Sequence, residues 1–455
     1  YPTMSGRPQT IMGNWSDADK NGYGIGLDLE SRLWAWFGDG SGRVTRVKLQ
    51  TVLELRHWYF VGAVIDPNSR LLSLYCDDAI RGRNVLAEQQ ASALIDGSFQ
   101  VDESDRFVLA AHQFGERLTD YFNGKIDSPL VADGKLSIDE LRDLIDRNRN
   151  EPKERLRAAW DFSVDMAGIA AKDRSGNFMD GEIINLPARA VTGYRWDGST
   201  LDWRLKPEQY SAIHFHDDDI YDFNWETDFV FDVPDHLKSG VYGIRLTHGN
   251  HTDTIPLVVC PPRGQQAARL CVLISTFTWT VYGNHARPDY NANWQDKIKQ
   301  WNAYPWNPAA FRHYGLSTYN FHSDGSGICH SSHLRPLFNL RPGYLTFGAS
   351  ECSGLRHFQA DSHLTAWLEA KGYDYDVITD EALHEEGAEL LTPYAAVTTG
   401  THPEYHTRET LDALQAYRDQ GGHLAYLGGN AASRLVPRPS PVRPVSPPWA
   451  TTAQS

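Results

Sequence analysis

The hydrophobic period of this chain changes once, near residue 263, and that change restricts its folding more than any other feature. Before it, short apolar and aromatic runs at 24–29, 33–37, 57–64 and 71–75 alternate with Gly, Asp and Asn. Runs of that length separated by turn residues are half-buried strands, and a series of them predicts an all-β sandwich. After it, Leu270–Ile274 is a continuous apolar run, as in a strand buried on both faces. A helical stretch at 366–371 then stops at Gly372, strands follow at 375–378 and 395–399, a helix runs over 409–420 to Gly421-Gly422, and a strand spans 423–427. Strand, helix and strand at this spacing predict a parallel sheet with crossover helices.

The finer pattern divides the chain further. Residues 1–197 carry the sandwich pattern, with a helical insert near 137–158 where Ser137 precedes Asp139 and Glu140, and Leu141, Leu144 and Ile145 repeat at helical spacing. Asn123-Gly124 reads as a tight hairpin turn, and residues 173–177 as another turn. In order and pattern the segment resembles a concanavalin-like (laminin-G-like) lectin sandwich. Residues 198–262 read as a smaller, immunoglobulin-like β unit with runs at 210–216, 239–246 and 254–259, the last two forming a hairpin. Residues 263–435 are the α/β segment. Residues 436–455 form a tail expected to be disordered, since six prolines in 437–448 continue neither sheet nor helix.

A length of 455 residues calls for two or three cores. The balance of 43 basic against 58 acidic residues lacks the electrostatic footprint of a nucleic-acid partner. Five cysteines without CxxC spacing point to reduced thiols and a cytoplasmic protein. No apolar stretch approaches the roughly 20 residues of a membrane span.

Three groups of residues could carry chemistry. His214 and His216 share a strand face, and Asp217, Asp218 and Asp219 follow; they form either a zinc or calcium site or a locally hydrogen-bonded turn, with no third ligand cluster at an obvious distance. Cys352 lies in a Gly/Ser-rich loop before a helix. The α/β segment resembles class I glutamine amidotransferases, but Cys352 lacks the flanking pattern of their nucleophile elbow, and no Gly-x-Ser-x-Gly is present. The third group comprises residues 275–284 after the first buried strand, residues 316–327, the string Gly400-Thr401-His402-Pro403-Glu404-Tyr405 after the strand at 395–399, and Gly428-Gly429-Asn430 after the strand at 423–427, the last two lying just past strand C-terminal ends. Parallel sheets hold their ligands just past strand C-termini. Individually, such tyrosines also occur as satisfied core residues, and such a glutamate as a helix cap.

The strings Ser317-Thr318-Tyr319-Asn320-Phe321-His322-Ser323-Asp324-Gly325 and 400–405 resemble the large (beta) subunit family of N,N-dimethylformamidase, over about 160–430. The resemblance implies a lectin-like sandwich ahead of an amidotransferase-like (flavodoxin-like) domain without the usual Cys. It implies one Fe3+ held by Tyr282, Tyr319 and Glu404, hydrolysis of small N-substituted amides, and a small partner subunit in a hetero-oligomer. Phenolate and carboxylate are hard donors suited to a ferric Lewis acid. His402 would position water or donate to the developing oxyanion, and Asn430 would do the latter. The family's domain continues past Gly-Gly-Asn, whereas here a Pro-rich tail follows; the expectation is a C-terminally truncated or frameshifted chain, inactive through that truncation. The expectation from another class is a non-catalytic carbohydrate-binding or assembly protein.

Overall fold

The computed structural model describes residues 1–79, 86, 89–99, 101, 106–137, 139–141, 143, 155–287, 292–349, 351–430, 434–435 and 450–452. It divides into two units, Tyr1–Asp219 with His322–Gly325, and Ile220–Phe321 with Ser326–Ser455.

The first unit is built from antiparallel strands. Its largest sheet has the order Val44–Val52, Arg32–Asp39, Asn21–Leu27, Gln9–Ser16, Phe107–Leu109. A second sheet joins Tyr59–Asp66, Leu71–Asp78 and Gln90–Leu94. The expected alternation is plain in Leu71–Asp78, where Leu72, Leu74, Cys76 and Asp78 are buried and their neighbours half-buried. Leu72, Leu74 and Cys76 join Leu33, Ala35, Leu49 and Ile213 in one core. At the insert, Ser137 and Glu140 form a reciprocal capping box, the Glu140 amide donating to Ser137 Oγ and the Ser137 amide to Glu140 Oε2. Leu144 and Ile145, expected on the same helix, lie outside the described residues.

Two expectations need correction. Asn123-Gly124 is not a hairpin: Gly124 opens the strand Gly124–Asp127 and pairs with Phe215. It is glycine because a Cβ there would stand 2.3 Å from the Tyr1 carbonyl oxygen. The two-residue turn lies instead at Gly115-Glu116, with Gly115 at φ +59°, between His112–Phe114 and Arg117–Thr119. The strand Ala212–Phe215 pairs not with the later hairpin but between Gly124–Asp127 and Ala188–Val191, where Ile213 enters the first core.

In the second unit, Gly240–His248 and His251–Cys260 form the expected hairpin. Ala450–Thr452, within the tail expected to be disordered, pairs parallel with the end of the latter strand; 436–449 and 453–455 lie outside the described residues. The parallel sheet has the order Tyr375–Thr379, Leu270–Ile274, Ala396–Thr399, His423–Ala425. Leu270–Ile274 is covered on both faces: Val272 and Ile274 enter one core with Phe358 and Leu368 of the helix Phe358–Lys371. Cys271 and Leu273 enter another with Ala413, Leu414 and Tyr417 of the helix Arg408–Asp419. Gly372, at φ +72°, ends the first of these helices in a left-handed cap. In chain order the strands read second, first, third, fourth, so connections leave the first strand in opposite directions and open a crevice at its C-terminal end.

Candidate active site

The crevice is filled from the two strands that flank it. The chain leaves Leu270–Ile274 through Ser275 into the helix Thr276–Val281, and Tyr282 is that helix's C-cap. It leaves Ala396–Thr399 through Gly400 to His402 and Glu404. Thr278 Oγ accepts from the amides of Glu404 (3.1 Å) and Tyr405 (3.2 Å), locking this loop to the helix. Asp361 braces the same loop, accepting from Trp279 Nε1 (2.9 Å) and the Thr401 amide (2.5 Å). Tyr319 is delivered by a turn whose Ser317 and Thr318 hydroxyls donate to the Val281 carbonyl at the helix end. The Asn320 side chain closes two bonds on the Ala286 backbone.

Three side chains therefore converge. Tyr282 donates to Glu404 Oε2 at 2.7 Å, and Tyr319 reaches Oε1 at 3.4 Å. The two phenol rings stack with centroids 4.2 Å apart. Glu404 is only 4% exposed. Burial, with the Glu404 carboxylate adding to it, pushes Tyr282 up to about 12. Burial and the neighbouring Tyr282 do the same for Tyr319, also to about 12. Both phenols thus hold their protons at neutral pH and aim them at one carboxylate.

His402 Nε2 lies 3.2 Å from Glu404 Oε2 and 3.4 Å from Arg356. One nitrogen cannot serve both; the shorter, charge-assisted bond to the carboxylate prevails, and Arg356 rests on the Tyr282 ring face at 4.3 Å. Burial and the Arg356 charge hold His402 below its ordinary value.

The structure thus gathers Tyr282, Tyr319, Glu404 and His402. Asn430 is exposed, at φ +40°, and shares no hydrogen bond with this group among the described residues. Cys352 is exposed too. Three neighbours were not anticipated. Tyr405 bonds Tyr319 through the hydroxyls at 2.6 Å, and it stands in the 400–405 string beside Glu404. Arg356 and His357 carry no sequence signal. His357 is buried at φ +52°, with its ring centroid 4.5 Å from that of Tyr282 and its Nε2 without a hydrogen-bond partner among the described residues. Burial and the Arg356 charge drive His357 well below the usual imidazole range. A non-glycine residue in that backbone region carries strain of about 1–3 kcal/mol, which such sites commonly store.

In the first unit, His214 and His216 lie among acidic groups as expected, but the partners differ: Asp219 meets His216, while Asp217 pairs with Arg7 at 2.6 Å. His322 and Asp324 complete two groups with these side chains that could hold a metal ion.

By fold and site, this is a β-rich chain with an oxygen-donor cluster at the switch point of a parallel sheet. The family described as "N,N-dimethylformamidase beta subunit-like, C-terminal" matches residues 188–442, and the chain belongs to it. It is 35% identical over 470 aligned residues to the N,N-dimethylformamidase beta subunit of Paracoccus aminophilus, covering 96% of this chain and 59% of that protein. It is 33% identical over 467 to the beta subunit from an Alcaligenes species, covering 95% and 59%. The chain thus spans about 59% of the length of these relatives.

Proposed function

We propose that this chain belongs to the large subunit of an iron-dependent amidohydrolase that cleaves small N-substituted amides, of the N,N-dimethylformamide type, into an acid and an amine. The carrying observation is the convergence of Tyr282 and Tyr319 on Glu404. The donor set fits the proposed Fe3+: two phenols and a carboxylate are hard oxygen ligands, and Tyr282, Tyr319 and Glu404 would hold it. When bound, ferric iron supplies Lewis acidity toward an amide carbonyl and toward water. The residues do the rest. Hydrolysis breaks the C–N bond, placing water oxygen on the acyl carbon and a proton on the departing amine. His402 holds a proton against Glu404, and the neutral, buried His357 stands beside it with ring centroids 5.7 Å apart.

The finer architecture belongs to the same reading. The strand order second, first, third, fourth supports a flavodoxin-like, amidotransferase-like sheet, and the antiparallel first unit supports a lectin-like sandwich. A small partner subunit and a cytoplasmic location complete the proposal; the relatives are named as beta subunits, and the five cysteines form no disulfide. No helix among the described residues is long and apolar enough to cross a membrane.

A second reading, a non-catalytic binding protein, has one observation in its favour. The first unit holds a cavity of about 640 Å³ lined by Tyr23, Trp36, Trp58 and Tyr59 among others. Visible absorption separates the two readings. The iron-loaded chain should show a tyrosinate-to-iron charge-transfer band that Tyr319→Phe removes together with release of dimethylamine from N,N-dimethylformamide. A folded, colourless protein that takes up no iron would end the first reading.

A further inference from the structure

The first unit gathers three imidazoles and three carboxylates that the proposed reaction does not use. His214 and His216 project from the strand Ala212–Phe215 and the residue after it, and Asp218 and Asp219 from the turn beyond. His322 and Asp324 come from the His322–Gly325 segment of the same unit. Four of these side chains are almost wholly enclosed: His216 and Asp324 are 1% exposed, and His214 and Asp219 11%.

Their orientation is specific. Asp324 Oδ2 lies 3.1 Å from His214 Nε2 and 3.9 Å from His216 Nε2. The other nitrogen of His216, Nδ1, lies 3.2 Å from Asp219, which also accepts the His216 amide at 2.8 Å. A carboxylate on Nδ1 fixes the proton there and turns the Nε2 lone pair toward Asp324, as carboxylates behind metal-ligating histidines do. His322 repeats the arrangement, its Nδ1 2.7 Å from Asp218. Its ring stacks on His216 at 3.7 Å between centroids, and the tilted His214 ring lies 4.1 Å from that of His216.

We infer that His214, His216 and Asp324 bind a divalent transition-metal ion of the zinc type, with Asp219 orienting His216. All three ligand atoms lie within 4.8 Å of one another. A tetrahedral ion with bonds of about 2.0–2.1 Å needs ligand atoms about 3.3 Å apart, so shifts below an ångström close the site. Two nitrogen donors select against calcium, which takes oxygen ligands. The ion ties the His322–Gly325 segment to the strand bearing His214, and the Ser323 amide already donates to Asp218 Oδ2 at 3.1 Å; three protein ligands leave the fourth position to water. This inference stands apart from the proposed hydrolysis.

The test is titration of the chelator-stripped full chain with Zn2+ against a chromophoric competitor, with Co2+ as the spectroscopic probe. It is run on the parent and on the Tyr282→Phe/Tyr319→Phe double variant, which removes the other oxygen cluster. Both should bind one equivalent with the d–d bands of tetrahedral Co2+ and should melt higher with Zn2+. Asp324→Asn and His216→Gln should abolish that equivalent, and Asp219→Asn should weaken it about 10–100-fold. Circular dichroism checks folding; if His216→Gln does not fold, Asp324→Asn, nearly isosteric, decides. Failure of the parent to compete for zinc, or parent-like affinity in folded Asp324→Asn, overturns the inference.

Discussion

Asp127 shows how one side chain sets a pH response. It accepts from Ser211 Oγ at 2.9 Å and the Tyr194 amide at 3.2 Å, yet burial still outweighs these bonds and raises its carboxyl from 3.8 to about 6. The folded state therefore holds this proton more tightly than the unfolded chain. The stability it contributes is complete below pH 3.8 and lost as pH rises through about 6. Asp127→Asn should remove that loss, gaining up to about 3 kcal/mol on the parent between pH 4 and pH 8, read from urea midpoints at the two pH values. An equal difference at both would refute the assignment. Nothing in the sequence marks Asp127, because its environment comes from Tyr194 and Ser211, 67 and 84 residues away. Glu404 stands in a string just past a parallel strand's end, where such sheets hold ligands, whereas Tyr319 follows no strand and was reached only through the family resemblance of its string. Arg356 and His357 were not legible, since a charge on a ring face and a strained imidazole leave no periodic trace. The histidine pair was visible on its strand, while its ligand partner Asp324 is 110 residues from His214.

The loop carrying Glu404 runs straight into the helix Arg408–Asp419, and the junction is a capping box. Thr407 Oγ accepts from the Thr410 amide at 3.2 Å, and Thr410 Oγ accepts from the Thr407 amide at 3.0 Å. All of these groups are buried, so loss of the cap leaves a donor without water to replace its partner. Thr407→Ala should cost about 1–2 kcal/mol in chemical unfolding, and Thr407→Ser should restore most of it. Equal losses in both would place the effect in packing by the threonine methyl. At this scale the sequence was informative wherever a period was long enough. The helices at 366–371 and 409–420 and the four parallel strands all appear, because buried faces and glycine stops act locally. Asn123-Gly124 misled because its glycine serves a close backbone approach, set by a chain segment more than 100 residues earlier. The pairing of Ala212–Phe215 was hidden for a similar reason, since alternation fixes a strand's faces but not its neighbours.

Each unit has buried cores of its own. Leu74 is 0% exposed within the core of the first unit, and Leu273 is 1% exposed in a core of the second. The change of hydrophobic period near residue 263 anticipates this division of core types. It does not anticipate that 220–262 cluster with the α/β part, or that His322–Gly325 cluster with the first unit. Cores that close within separate units should melt separately. Calorimetry of the intact chain should therefore resolve two transitions. Removing a buried leucine side chain costs about 2–5 kcal/mol, which for domains of this size lowers a transition by about 4–20 °C. Leu74→Ala should move one transition and Leu273→Ala the other. Zinc added to the stripped protein should raise only the transition that Leu74→Ala lowers, because a ligand stabilises only the fold that binds it. One transition shifted alike by both variants would instead mean that the two cores fold as one cooperative body.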